Sequence, residues 1–432
     1  EEMRGLYFAQ YTRSWDKALR GVDVAKFRNV GHAAEVLSWL SATNSPMTAL
    51  LESMTYETSL TRDLELAAEG VSDTSFLGSA SSRLGRLLGR DSVDSLSEKI
   101  LGPERVVDEH FSKVHELVLR TDKNPPPIFN ITGLLGELHT EFDAIASGFS
   151  FEPSKQAERI ATSEKVIRIQ SLARKTPEPI SRWLQQIVVG SRRAAFYEIR
   201  AAINEQWQSE VLPFCRRAIQ GRYPFQKNSD REITLADFGR LFGHGGQIDE
   251  FYSNNLRKYV KASGRRWSWK TLGGVDPGFS NAGLKSMQAA RQLRDVFFGN
   301  GGQTVGVKFT LKPVYLDANV RSFSLDLNGQ FLRYRHGPAR AMPARWPGDD
   351  GFDRARIEFI DDSGASVART VEGPWAWFRL LGDSKVKSKS AEIIQATFEE
   401  RGREATWEIR ANTVTHPFDS SLISSFSCIE EF

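Results

Sequence analysis

A chain of 432 residues is too long for one hydrophobic core, since single cores stop growing at roughly 250–300 residues, so at least two domains are expected. With 40% apolar and 26% charged residues the composition is that of an ordinary globular protein, and a net charge of +3 gives bulk electrostatics no argument for nucleic acid or an anionic membrane. No window approaches the roughly 18 uninterrupted apolar residues of a membrane span, and the opening EEMRGLYFAQ is acidic and mixed, unlike a signal peptide.

The sequence opens without methionine in what reads as helix, which suggests a piece of a larger protein. In HAAEVLSWL, Val36, Leu37 and Leu40 recur at helical spacing. Ser45 and Pro46 then supply an N-cap and a proline at the first helical position, and Met47, Leu50, Leu51 and Met54 share one face of the helix that follows. A stretch rich in Gly, Ser and Arg, near 69–94, reads as a surface loop or linker. Helical periodicity returns in VVDEHFSKVHELV and in IFNITGLLGELHTEFDAIA, with Asn124-Pro125-Pro126-Pro127 between them. The run from Trp183 to Ile219 predicts two more long amphipathic helices. No repeat of fixed period appears, which argues against a solenoid.

The character changes at Gly221. Short helices are predicted around LADFGRLF and GQIDEFYSNNL, and a longer one in NAGLKSMQAARQLRDVFF, closed by the turn Gly299-Asn300-Gly301-Gly302. From there the period switches to two. Val305, Val307, Phe309 and Leu311 alternate with polar or small residues, Asn328-Gly329 reads as a hairpin turn, the pattern repeats around Asp362 to Gly364, and Ala405, Trp407, Ile409 and Ala411 alternate again. The expected fold is α+β and multidomain: an N-terminal all-α helical region (1–220), a linking helical subdomain (221–302) and a C-terminal antiparallel β-sandwich (303–432).

Inside the strand-rich tail sits GPWAWFRLL, Gly373 to Leu381. Pro374 suits the first position of a short helix, which puts Trp375, Phe378 and Leu381 on one side with Trp377 and Leu380 flanking. A helix apolar almost all round belongs in the interior, as a plug over one open end of the sandwich. Arg379 then needs a carboxylate or free strand-end carbonyls, because an unpaired buried guanidinium is costly.

Chemical motifs are sparse. There is no GxxxxGK[ST], no GxGxxG after a strand, no HExxH and no GxSxG. Gly243-His244-Gly245-Gly246 reads as a turn between two helices. His110 and His115, five apart, fall on different helix faces and do not suit a shared metal. Asp349, Asp350 and Asp353 lack the spacing of a calcium loop and read as a solvated turn. No catalytic constellation emerges, so no enzyme is expected. Only two cysteines occur, Cys215 and Cys428, which excludes a dense disulfide framework and a zinc site built on several thiolates. One disulfide and two buried thiols both fit the sequence, which gives no distance between them. The segment LRKYVKASGRRWSWK interleaves Arg257, Lys258, Lys261, Arg265, Arg266 and Lys270 with Tyr259, Trp267 and Trp269, the composition of a single-strand-binding or glycan-contacting surface, or of a solvated helix end whose tryptophans dock in the core.

Seven stretches in order carry a resemblance: YFAQYTRSW, LSATNSPMTALLESMTYETSL, CRRAIQGRYPF, LADFGRLFGHGGQIDEFYSNNL, WPG at Trp346 to Gly348, GPWAWFRLL and HPFDSSLISSFSC. Spread from Tyr7 to Cys428, they make the chain similar to the C-terminal, periplasmic part of the IcmF-like (TssM) proteins of bacterial type VI secretion systems. The signature positions are Asp237, Phe238, Phe242, Trp346, Pro347, Gly373, Pro374, Trp375, Phe378, Arg379, Pro417, Phe418 and Cys428. Two departures are visible: Ile429 stands where the family's FxCP has proline, and His416-Pro417-Phe418 stands where it has NPF.

The resemblance implies a periplasmic segment of a protein anchored in the inner membrane upstream, a helical region followed by a β-sandwich, and a scaffold role without catalysis, cofactor or metal. It implies three partners: the outer-membrane lipoprotein of the system (TssJ-like), an inner-membrane TssL-like protein, and sister subunits in a ring. No nucleic acid is expected. It also implies that Cys215 and Cys428 lie where a periplasmic location permits a disulfide between them. The alternative is an envelope-polymer (peptidoglycan) module stacking sugar rings on Trp267 and Trp269.

Overall fold

The computed structural model describes residues 2–61, 90–120, 124–148, 153–263, 266–299, 301–348, 353–411, 413 and 415–432. Two compact units emerge, one of Glu1–Ile199 with Leu272–Pro277, the other of Arg200–Thr271 with Gly278–Phe432.

The first unit is helical. Its described helices run Glu2–Arg20, Val30–Ser41, Pro46–Thr58, Arg90–Val118, Ile128–Ala146, Pro153–Ala161, Glu164–Ala173 and the first part of Ile180–Gln206. Arg90 to Asp94, read above as the end of a loop, begin a helix; the rest of that stretch up to 89 lies outside the described residues. Asn29 caps Val30–Ser41 by accepting from the His32 N–H. Ser45 stands at the N-cap ahead of Pro46, yet its hydroxyl donates back to the Leu40 carbonyl at 2.8 Å instead of into the new helix. The core collects Leu37, Leu51, Leu135, Leu138 and Phe142, all fully buried, as the 3.6-residue spacing of these segments requires. Arg182 closes the first helix by donating to the carbonyls of Leu19 and Arg20 at its end and of Val22 just beyond it.

The second unit joins helices to a sandwich. Ile180–Gln206 continues through a π-helical turn, Trp207–Val211, into Leu212–Ile219, so the two long helices expected up to Ile219 are one long and one short. Helices Leu235–Phe242, Gln247–Phe251 and Asn281–Phe297 follow, with a two-residue ladder between β1 (Val260–Lys261) and β2 (Ser268–Trp269). The division between units therefore falls near Arg200, where a boundary at Gly221 was expected, and 221–302 share one unit with the strands. The physical reason is packing: Phe238 and Phe297 of the helical part lie against Trp375, Trp346 and Phe378 of the strand-rich part, with ring centroids 5.2–6.2 Å apart.

The nine remaining strands among the described residues form two antiparallel sheets, as the period switch predicts. One has the order β6-β3-β11-β10-β9 and the other β5-β4-β7-β8. They comprise β3 (Val307–Leu316), β4 (Val320–Leu327), β5 (Gln330–Tyr334), β6 (Met342–Trp346), β7 (Arg354–Asp361), β8 (Ser366–Glu372), β9 (Lys385–Ser388), β10 (Ile393–Glu400) and β11 (Arg403–Ala411). Asn328 and Gly329 take positive φ of 48° and 83°, the backbone a two-residue hairpin turn between β4 and β5 demands. The alternating residues point inward as read: Val305, Val307, Phe309 and Leu311 are buried, and Ala405, Trp407, Ile409 and Ala411 are completely so. Phe323 from one sheet meets Phe398 and Trp407 from the other, forming the sandwich core.

The two flanks of the sandwich differ. On one, the Gln330 amide of edge strand β5 donates to the Arg345 carbonyl (2.7 Å) and accepts from the Arg345 N–H (2.9 Å), so one side chain stitches β5 to β6 of the other sheet as a peptide unit would. On the other flank, β8 and β9 are the edges. There Arg369 of β8 reaches across to Glu400 at the end of β10 (2.8 Å), and the outer backbone of β9 pairs with no strand among the described residues.

Candidate functional site

The block GPWAWFRLL forms a buried joint inside the second unit. Pro374 precedes a short helix, Ala376–Gly382, whose N-cap is Trp375. Trp375, Ala376, Trp377, Leu380 and Leu381 are all at most 4% exposed. Two faces of this helix engage different neighbours. Trp375 and Phe378 pack on Trp346 and on Phe238 or Phe297, while Trp377 lies against Phe309 and Phe418. Indole N–H groups complete the joint: Trp375 Nε1 donates to the Ile233 carbonyl at 2.7 Å and Trp346 Nε1 to the Pro374 carbonyl at 3.2 Å. Pro347 follows Trp346 half-buried.

Arg379 finds both kinds of partner that its burial requires. Its Nε pairs with the Glu232 carboxylate at 2.5 Å, its Nη2 donates to the Ser229 carbonyl at 2.8 Å, and its guanidinium lies 4.0 Å above the Tyr223 ring. Glu232 also accepts from the Trp375 N–H at 3.2 Å. Burial pushes the Tyr223 phenol well above its ordinary pKa, against an opposing pull from the guanidinium, so the ring stays neutral. Gly373 is required where it stands: its φ is +111°, and a Cβ there would meet Glu232 Oε2 at 2.5 Å. Arg379 Nε and Nη2, the Trp375 N–H groups and the Glu232 carboxylate are thus spent on other residues of the chain, whereas the buried Trp377 indole N–H finds no hydrogen-bond acceptor among the described residues. The arrangement clamps 221–233 onto the sandwich.

The other signature residues support the same joint. Thr234 caps the helix Leu235–Phe242 by accepting from the Asp237 N–H in its first turn at 3.0 Å, and this aims Phe238 and Phe242 into the core. Phe418 is buried against Phe309, Trp377 and Phe378, and Pro417 beside it is buried too. His416, one of the two departures from the family pattern, is only 4% exposed. Its Nε2–H donates to the Ile409 carbonyl (3.2 Å) and its Nδ1 accepts from the Phe418 N–H (3.3 Å). Burial pulls its pKa below the ordinary histidine range, in keeping with a ring whose two nitrogens are both committed in the neutral form.

Residues 427–432 lace the helical part of the unit. Cys428 is joined to Cys215 in a disulfide with Cα atoms 6.0 Å apart. The Ile429 carbonyl accepts from Trp207 Nε1 at 2.8 Å, Ser286 Oγ donates to the Ser427 carbonyl at 2.6 Å, and the Phe432 ring packs on both Trp207 and Phe251, which also touch each other. Ile429, in place of the family's proline, thus keeps its place in the lacing.

The remaining candidates separate. Trp267 packs on Tyr252 and Trp269 on Phe279, each half-buried against its own aromatic partner, so they do not form the paired flat platform that sugar stacking needs. Arg265 of that cluster lies outside the described residues. His110 faces Asp16 and His115 the Thr58 hydroxyl, on different sides of one helix. Gly243 to Gly246 form a turn between two helices, and Asp349 and Asp350 are outside the described residues. Glu232, 147 residues from Arg379, carried no signal in the sequence, and neither did Gln330.

Within the second unit, helices are joined to a two-sheet sandwich by an aromatic core, an α+β module. Three family models match in the same order along the chain: "Intracellular multiplication and human macrophage-killing" (IcmF-related) over 1–59, "Type VI secretion protein IcmF helical domain" over 199–303 and "Type VI secretion protein IcmF C2-like domain" over 309–413. The chain belongs to the IcmF (TssM) family of type VI secretion proteins and represents its C-terminal region. It is 33% identical over 438 residues to the type VI secretion system component TssM1 of Pseudomonas aeruginosa, covering 99% of this chain and 39% of that protein. Two solved structures resemble it at 18% identity, a likeness that shows the fold alone. One, titled "Type VI membrane complex", has a TM-score of 0.70 and covers 100% of this chain and 84% of that one. The other, titled "Type VI secretion system membrane core complex", has a TM-score of 0.68 and covers 98% and 82%.

Proposed function

We propose that the chain is a non-enzymatic scaffold segment of a type VI secretion membrane complex, placed in the periplasm, where it binds the outer-membrane lipoprotein (TssJ-like) and assembles with a TssL-like inner-membrane partner and sister subunits. The observation that carries this reading is how the signature residues are used. Arg379, Trp375, Phe378, Phe238 and Phe418 are consumed in internal packing, as suits a load-holding joint and not a site that turns over substrate. Large apolar side chains stand out elsewhere, among them Trp39, Tyr56 and Phe129 in the first unit and Phe331 in the second, each more than half exposed. The disulfide supports an oxidising compartment. No helix among the described residues is long and apolar enough to cross a membrane.

The test is a calorimetric titration of the folded, oxidised chain with the soluble part of the cognate lipoprotein. Saturable, stoichiometric binding is the expected result; a folded chain that gives no heat removes the lipoprotein from the reading.

A further inference from the structure

We propose that edge strand β9 receives an extended segment of a partner protein, added as a new antiparallel or parallel strand, in which acidic residues alternate with apolar ones. The inference rests on β9 and the cleft beside it, independently of the complex to which the chain belongs.

Three observations converge. First, β9 ends its sheet: it pairs only with β10, in the register Lys385↔Thr397, Val386↔Ala396, Lys387↔Gln395 and Ser388↔Ile394. All four of its residues are exposed, and its outer row of N–H and C=O groups faces no other strand among the described residues. Such a row is a template for main-chain hydrogen bonds.

Second, the two sides of β9 differ in chemistry. Val386 and Ser388 share the face of Ala396 and Ile394, which are buried toward the sandwich interior. On that side a cleft of about 850 Å³ opens, where Val386, Ile394 and Phe378 stand among polar and charged groups that include Lys227, Arg379 and Asp383. Alternate side chains of an added strand would enter this cleft; the intervening ones would emerge on the opposite face.

Third, the opposite face of β9 is basic: it carries Lys385 and Lys387, and Lys389 follows directly after the strand's last residue. Lys385 is paired with Glu399 at 2.8 Å, whereas Lys387 and Lys389 have no ion-pair partner among the described residues. Their charge selects the occupant. A second copy offering its own β9 would set lysine opposite lysine, which is destabilising, while carboxylates at alternate positions would meet the ammonium groups across the strand pair.

The test uses the whole oxidised chain and a short, end-blocked, fluorescent peptide of alternating glutamate and valine. Control peptides alternate lysine with valine, or gather the glutamates into one block. Anisotropy titration reads affinity, and hydrogen exchange reads protection of the 385–388 amides. The expected result is saturable binding of the alternating acidic peptide alone, weakened by added salt, with protection appearing on β9. The double variant Lys387→Glu/Lys389→Glu, whose side chains lie on the surface, should melt like the parent, lose roughly tenfold in affinity and accept the lysine peptide instead. Val386→Asp, checked by the same melt, should weaken binding by putting a carboxylate in place of one of the cleft's apolar groups. Absence of saturable binding, affinity unchanged by the charge reversal, or protection falling elsewhere overturns the proposal. Concentration-dependent self-association that protects β9 overturns it in favour of a second copy.

Discussion

At the scale of single residues, the joint around Arg379 shows how burial turns one charge into a specification. The guanidinium is held by one carboxylate, one carbonyl and one ring, and Glu232 in turn serves Arg379 and the Trp375 N–H. Side-chain exposures of 22% and 12% place the pair mostly out of water. Arg379→Leu should therefore cost about 3 kcal/mol in chemical denaturation, chiefly by stranding Glu232. Glu232→Gln combined with it should recover part of that loss, and the coupling in the double-mutant cycle is the measured quantity; strictly additive losses would show that the ion pair does not hold the joint. His416 makes a separate prediction. Its folded pKa lies below its unfolded value of about 6.5, so the unfolded chain takes up the proton first as pH falls. Stability is then full above about pH 6.5 and declines below it. Melting temperatures between pH 8 and pH 5 should fall more gently for His416→Gln than for the parent.

At the scale of elements, the sandwich was legible because burial on one face imposes period two, and the inward positions of β3 and β11 followed from that alternation. The edges were not. β9 reads Lys-Val-Lys-Ser, too polar and too short for an alternation signal, and the β1 and β2 pair is two residues long inside a basic cluster. Helices Pro153–Ala161 and Glu164–Ala173 are short and polar enough to pass unmarked. The Gln330 stitch depends on where two sheets meet, which no local pattern encodes. Replacing Gln330 with Leu keeps the bulk and removes both hydrogen bonds. It should cost about 1–2 kcal/mol, and the Arg345 amide should exchange faster. Unchanged exchange at Arg345 would mean that the flank is held by packing alone.

At the scale of the whole molecule, the aromatic block was readable as buried, and Arg379 as needing a partner, but the identity of that partner required the fold. The same holds for Cys215 and Cys428, whose separation of 213 residues says nothing about distance in space. Because Phe238 and Glu232 complete the joint, residues 303–432 alone should not fold, whereas 200–432 should melt cooperatively; a soluble, cooperative 303–432 would contradict the shared core. Reduction of the disulfide should destabilise the second unit by at most about 5 kcal/mol, the chain-entropy limit for so long a loop. The bond also bears on mechanics. With Cys215 tied to Cys428, tension applied between Arg200 and Phe432 can pay out only the roughly 20 residues outside the loop, about 70 Å of chain, against nearly 800 Å once the bond is cut. An oxidised unit under pull is a short tether with a hard stop, and its reach is set by the redox state of one pair of sulfurs.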